Sequence, residues 1–139
     1  MKNRIMCGTW IARGLVGVVF ILNVQSAVVF LVSPDLYISA FELSGEVGEV
    51  TLRGIGILFL MWNVPYFFAF LHPYKHSLSL LQANLMQFIG FLGESILLMS
   101  MDNTYGLLAS SIRRFVLFDG IGLVLLILAG LIVCNQRRL

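Results

Sequence analysis

The strongest constraint on this chain is its four apolar segments, each about 20 residues long or slightly longer. They cover residues 10–32, 50–71, 78–100 and 114–134. A helix of this length crosses about 30 Å of hydrocarbon at 1.5 Å per residue. Irregular chain would leave backbone polar groups unpaired in lipid, so such segments span a membrane as helices. The sequence therefore predicts an all-α integral membrane protein with four spans.

The composition excludes the main soluble alternatives. Of the 139 residues, 59% are hydrophobic and 12% are charged, whereas a soluble domain is about 25% charged. The connections between the segments are short, which favours an antiparallel four-helix bundle that forms one domain over residues 1–139. The net charge of +2 and the scattered basic residues argue against nucleic-acid binding, so the lipid bilayer is the expected partner.

The connection between spans one and two predicts a short interfacial helix over residues 34–44. Ser33, Pro34 and Asp35 supply a cap, a proline compatible with the first helical turn and an early acid. Apolar residues that follow can form one face against the outer leaflet, and Gly45 offers a stop.

The distribution of Lys and Arg in the connections predicts the orientation. One side of the bundle carries most of these residues, and the opposite side carries Arg113 and Arg114. The richer side is expected to be cytoplasmic, which places both termini in the cytoplasm and the protein in the inner membrane. The residues on the richer side are Lys2, Arg4, Lys75, Arg137 and Arg138.

Ionisable residues within the spans are the strongest functional candidates, because each costs a few kcal/mol in lipid unless it is paired. Arg53, Glu94 and Asp119 all fall in the outer half of their spans. A bidentate guanidinium can serve two carboxylates, so we expect Arg53 to bridge Glu94 and Asp119. The polar side chains expected beside this bridge are Gln25, Asn23 and Glu49.

A second polar patch is expected nearer the cytoplasmic side. It consists of Asn63, Gln87 and Asn84. Neutral amides at such positions usually form hydrogen bonds between helices.

The charged cluster has two interpretations that the sequence leaves open. It is either an ion-paired knot that fixes helix register or a small polar pocket that binds a ligand or passes protons. No metal or cofactor is expected. His72 and His76 lie in one turn, near Cys7 and Cys134 in depth, but their spacing is not that of a zinc or haem site.

The layout of the chain resembles the DoxX-like group of small four-helix bacterial membrane proteins. The resemblance is carried by Arg13-Gly14-Leu15 at the start of span one, by the stretch that begins at Pro34, and by Gly54 and Gly56 in span two. It implies a four-helix bacterial membrane protein in redox-related or stress-related membrane complexes. It transfers no catalytic residue to this chain.

The expected function is that of a small multi-pass membrane component, either an accessory subunit or a ligand-binding bundle, and not an enzyme. Such a component is expected to form a homo-oligomer or to join a larger membrane complex. Two alternatives remain open. A transporter of protons or small solutes needs a polar path from the outer cluster to Gln87 and Asn63. A membrane enzyme acting on a lipid or isoprenoid needs Glu94 and Asp119 to line one cavity.

Overall fold

A computed structural model describes the backbone of residues 2–102 and 104–137 and the side chains of residues 7–102 and 104–136. Every regular element in these ranges is helical. The elements are α1 (Lys2–Val32), α2 (Asp35–Ile38), a 3-10 turn (Ser39–Phe41), α3 (Gly45–Trp62), α4 (Val64–Leu71), α5 (Ser77–Ser100) and α6 (Gly106–Arg137).

Four helical stretches are long and apolar enough to cross a membrane, as in a multi-pass membrane protein. They are Cys7–Val32, Gly45–Leu71, Ser77–Ser100 and Gly106–Gln136. The sequence predicts the four stretches but begins the last one at residue 114. The helix starts earlier because Arg113 and Arg114 end the apolar run without interrupting the backbone hydrogen bonds of α6. Of the basic residues used for orientation, Arg138 and the side chains of Lys2, Arg4 and Arg137 lie outside the described residues.

The second of these stretches is broken at Asn63, between α3 and α4. Pro65 lies in the first turn of α4. It has no backbone N–H to donate and its ring crowds the carbonyl of Met61, so a continuous helix is interrupted here. The break gives the two halves different neighbours. α4 packs against both α1 and α5, whereas α3 packs mainly against α1.

The apolar core lies at the level of α4, where α1, α4, α5 and α6 meet. Several of its members are small, which lets helix backbones approach closely. The core consists of Ala12, Val16, Val19, Tyr66, Ala69, Leu80, Ala83, Leu126, Ala129 and Val133. Large apolar side chains are also exposed on the outside of all four stretches, as expected of a surface that faces hydrocarbon.

The segment between α1 and α3 is helical over residues 35–41, which is shorter than the predicted 34–44. It ends at Glu42, whose φ of 55° is left-handed. Leu43 N–H donates to Ile38 O and Glu42 N–H donates to Ser39 O, the hydrogen-bond pair of a Schellman motif. The stop is therefore at Glu42, and Gly45, also at positive φ, begins α3.

Two side chains connect this segment to α6. The Glu42 carboxylate accepts hydrogen bonds from the backbone N–H groups of Leu107 (3.0 Å) and Leu108 (3.4 Å). These N–H groups lie in the first turn of α6 and have no partner within the helix, so the carboxylate caps it. The Ser111 hydroxyl donates to Ala40 O at 2.6 Å. The segment is thereby fixed over the end of the helices that is remote from the core.

Candidate ligand-binding cavity

A cavity of about 810 Å³ lies between the core and the segment over residues 35–41. α1, α3, α5 and α6 form its walls, and Leu36, Tyr37, Ala40 and Phe41 of the connecting segment contribute to its lining at the end remote from the core. The cavity occurs at this level because α3 does not pack closely on α5 as α4 does. Much of its wall is aromatic, and the rings that contact one another there are Phe30, Tyr37, Phe41, Phe59 and Phe115.

A chain of hydrogen bonds runs from Tyr66 in the core to Gln87 and Asp119 on the cavity wall. The Tyr66 hydroxyl donates to Gln87 Oε1 at 2.6 Å, and Gln87 Nε2 donates to Asp119 Oδ1 at 2.8 Å. Trp62 Nε1 donates to the Tyr66 hydroxyl at 3.4 Å. Each donor in the chain points toward Asp119, so the carboxylate is the final acceptor. Gln87 is only 2% exposed and is held in one orientation by its two partners.

Two glycines provide the space for this chain. A Cβ at Gly90 would collide with Asp119 Oδ2, and one at Gly122 would lie 2.7 Å from Gln87 Nε2. A side chain at either position would displace a polar group from the chain. The glycines on α5 and α6 therefore let the Gln87 and Asp119 side chains lie between these two helices.

Among the described residues, two cavity-lining side chains carry a buried oxygen that has no hydrogen-bond partner: Asn63 Oδ1 and Glu94 Oε2. Asn63 is 4% exposed, and its amide nitrogen donates to Phe59 O at 2.6 Å. A buried polar atom without a partner costs about 1–3 kcal/mol. Both atoms are buried in this conformation, so a donor from water or a ligand in the cavity could reach either oxygen only after its side chain turned toward the cavity.

The structure joins the two predicted polar clusters into one. Glu94, Asp119, Asn23 and Gln25 from the first cluster line the same cavity as Asn63 and Gln87 from the second. The sequence predicts the two clusters at different depths in the membrane, but Gln87 of the second cluster donates a hydrogen bond to Asp119 of the first. Asn84 belongs to a deeper level, where its amide donates to Leu80 O and Leu126 O.

Arg53 does not reach Glu94 or Asp119. It pairs with Glu49, one turn earlier on α3, at 3.5 Å, and 52% of its side chain is exposed. Neither residue lines the cavity. The predicted bridge is absent because α3 packs mainly on α1 and a partner at i−4 is available on the same helix face.

Three residues that line the cavity or bond to its wall, Arg114, Ser111 and Tyr66, are not among the predicted site residues. Arg114 is exposed and contributes the positive side chain of the lining, although its sequence position suggested only a charge in a connection. In the sequence, Tyr66 is one of several aromatic residues in span two, and no pattern distinguishes Ser111. The spacing of Tyr66 four residues after Trp62 is compatible with one helix face, but it does not reveal the amide partner on α5.

The cavity is accessible from the outside of the helices. Ile89 and Leu97 of α5 and Leu22 of α1 line it and are themselves exposed. If these faces contact lipid, the cavity opens sideways into hydrocarbon. Among the described residues, no group of three His, Cys, Asp or Glu side chains is arranged to hold a metal ion.

Comparisons with protein-family models, curated proteins and solved structures give no match to this chain. The chemistry of the cavity is therefore the basis for a functional assignment. It combines an apolar aromatic wall, one fixed polar chain and two oxygens that lack donors.

Proposed function

We propose that this chain is an integral membrane protein that binds a small amphipathic ligand inside an antiparallel four-helix bundle. The ligand enters from the lipid phase and places its polar end near Glu94 and Asn63. The observation that carries this proposal is the cavity of about 810 Å³ whose wall contains two buried oxygens without donors. The volume lies within the range of about 300–1,000 Å³ that is typical of small-molecule sites, which are mostly apolar with a few placed polar groups.

We also propose how the protein is oriented in the membrane. The segment over residues 35–41 lies at the outer interface, above the cavity, and both termini lie in the cytoplasm of a bacterial cell, as the resemblance to the DoxX-like group and the charge distribution suggest. Exposed apolar faces on all four stretches support burial in lipid.

Ligand binding is better supported than conduction. A transport path would have to continue past Gln87 and Tyr66 toward the other face of the membrane. At that level the tightly packed apolar core fills the space between the helices, and the remaining amide, Asn84, is occupied by backbone carbonyls.

Binding is also better supported than acid–base catalysis. Glu94 and Asp119 do line one cavity, which an enzyme using both carboxylates would require. However, Gln87 occupies Asp119 Oδ1, and Asp119 Oδ2 lies against Gly90. Glu94 is left as the carboxylate whose buried Oε2 has no hydrogen-bond partner among the described residues, and a turn of this side chain toward the cavity would bring that oxygen to a ligand head.

The test fills the cavity without disturbing the helices. A Cβ at Gly93, on the cavity wall, would meet no atom within 4 Å, and the same holds for Gly14, which lies outside the cavity. Gly93→Leu therefore occupies ligand space, and Gly14→Leu is the matched control on another helix. The probe is 8-(dansylamino)octan-1-ol, added to protein in phosphatidylcholine nanodiscs. A Trp10→Phe background leaves Trp62, on the cavity wall, as the donor for energy transfer.

We expect saturable energy transfer from Trp62 to the probe in the parent protein and in Gly14→Leu. In Gly93→Leu the affinity falls at least about tenfold, since overpacking a filled site costs about 1–3 kcal/mol. Equal binding in the two leucine variants, or transfer that rises linearly with the probe as in empty nanodiscs, would refute a ligand site in this cavity.

A further inference from the structure

Among the described residues, the two buried cavity-lining atoms that have no hydrogen-bond partner share one chemical property. Asn63 Oδ1 and Glu94 Oε2 are both acceptors, whereas the donors of Trp62, Tyr66 and Gln87 are already engaged. A ligand whose head carries only acceptors would leave both oxygens unpaired. The part of the cavity wall formed by Asn63 and Glu94 is therefore complementary to a head group that donates hydrogen bonds.

The charges around the cavity favour a positive head. Its lining carries two carboxylates, Glu94 and Asp119, against one cation, Arg114. No ion pair joins Arg114 to either carboxylate among the described residues. Arg114 is exposed, so solvent or lipid head groups screen it more than they screen the buried oxygen of Glu94.

The aromatic wall adds a second preference for a cation. Trp62, Phe59 and Phe115 line the cavity together with Glu94. The faces of aromatic rings attract cations, and a tryptophan does so most strongly. The rest of the wall is apolar and opens beside exposed Ile89 and Leu97, which suits a hydrocarbon tail.

We propose that the ligand is a lipophilic primary amine, bound as its ammonium ion with N–H groups donating to Glu94 and the tail directed toward the lipid opening. This proposal rests on the proposed function and specifies its ligand class. Glu94 supplies the charged contact, and Asn63 supplies a neutral acceptor on the same wall.

The experiment compares three probes that differ only in their heads: 8-(dansylamino)octylamine, 8-(dansylamino)octan-1-ol and 8-(dansylamino)octanoic acid. Each is titrated into protein in phosphatidylcholine nanodiscs, with empty nanodiscs as the partition control. We expect the amine to bind about tenfold tighter than the alcohol, the size of effect expected for a hydrogen bond to a charged group. The acid is expected to bind most weakly of the three.

Three variants test which side chains cause the preference for the amine over the alcohol. Glu94→Gln is expected to reduce the amine-to-alcohol affinity ratio to about one. Arg114→Gln is expected to raise that ratio, because it removes the positive charge from the wall. Glu46→Gln, which removes an exposed acid outside the cavity, is the matched control and leaves the ratio unchanged.

The results distinguish a failure of the amine proposal from a failure of ligand binding in the cavity. If no probe saturates, the cavity does not bind amphipathic ligands and both proposals fail. If the alcohol binds but the amine binds no tighter, or the acid binds best, only the amine proposal fails. A ratio that survives in Glu94→Gln overturns the assignment of the ammonium contact to Glu94. The ratio in the parent protein is decisive by itself if a variant does not fold.

Discussion

Replacing Gln87 by leucine tests whether the hydrogen-bond chain holds the two sides of the bundle together. Gln87 is almost completely buried and links Tyr66 on α4 to Asp119 on α6 through bonds of 2.6 and 2.8 Å. Leucine removes both bonds while keeping a side chain of similar size. The buried Tyr66 hydroxyl and the Asp119 carboxylate then lose their shared partner.

The loss of stability can be worked from these contacts. Hydrogen bonds between membrane helices contribute about 0.6 kcal/mol on average and about 1.7 kcal/mol at most, so two of them contribute about 1–3 kcal/mol. A buried group left unpaired costs about 1–3 kcal/mol more. The buried Tyr66 hydroxyl still accepts from Trp62, but its hydrogen loses its acceptor and incurs that penalty, whereas Asp119 faces the cavity, where water can replace the amide. We therefore expect Gln87→Leu to lower the free energy of unfolding by about 2–6 kcal/mol.

The assay is unfolding of the purified protein by sodium dodecyl sulfate in mixed micelles, followed by circular dichroism and tryptophan fluorescence. Gln82→Leu is the matched control, because Gln82 lies on the same helix and is exposed. We expect the control to unfold like the parent protein. The reasoning is refuted if Gln87→Leu loses no more stability than Gln82→Leu does.

The same unfolding assay checks two further predictions. Gly90→Ala should destabilise the protein by about 1–3 kcal/mol because its Cβ meets Asp119, whereas Gly93→Ala on the same helix should be neutral or up to about 1 kcal/mol stabilising. A smaller loss at Gly90 than at Gly93 would contradict the packing described for the polar chain. Arg53→Gln should cost less than about 0.5 kcal/mol, as expected for an exposed pair within one helix, while a loss of about 3–5 kcal/mol would indicate a buried bridge instead.

The helical class and the four long apolar helices follow from the sequence because hydrocarbon length and backbone pairing leave few alternatives. The first and last residues of each helix are predicted less accurately from the sequence. Hydropathy marks where a helix enters lipid, but α6 begins at Gly106, in a polar stretch where Glu42 caps its first turn. That contact is invisible to any local pattern, since the two residues are far apart in the chain.

The site follows from the sequence only in part. Glu94, Asp119, Gln87 and Asn63 are recognisable because polar groups in a span need partners, and the structure places all four on one cavity. Their partners depend on the rotation of each helix, which spacing along one helix does not determine. The break at Asn63 gives α3 different neighbours from α4, and Arg53 on α3 remains exposed.

The attachment of Glu42 to α6 has a consequence for the order in which the site can be assembled. Glu42 accepts a hydrogen bond from the backbone N–H of Leu107, 65 positions later in the chain. The walls of the cavity include residues of both α1 and α6. During synthesis, the three preceding long helices can form before α6 is present. At that stage the cavity lacks the wall that α6 supplies, and Glu42 lacks its hydrogen-bond donor on α6. If the cavity binds a ligand as proposed, binding becomes possible only after α6 has docked, and a ligand in the membrane would then stabilise chains in which α6 is docked.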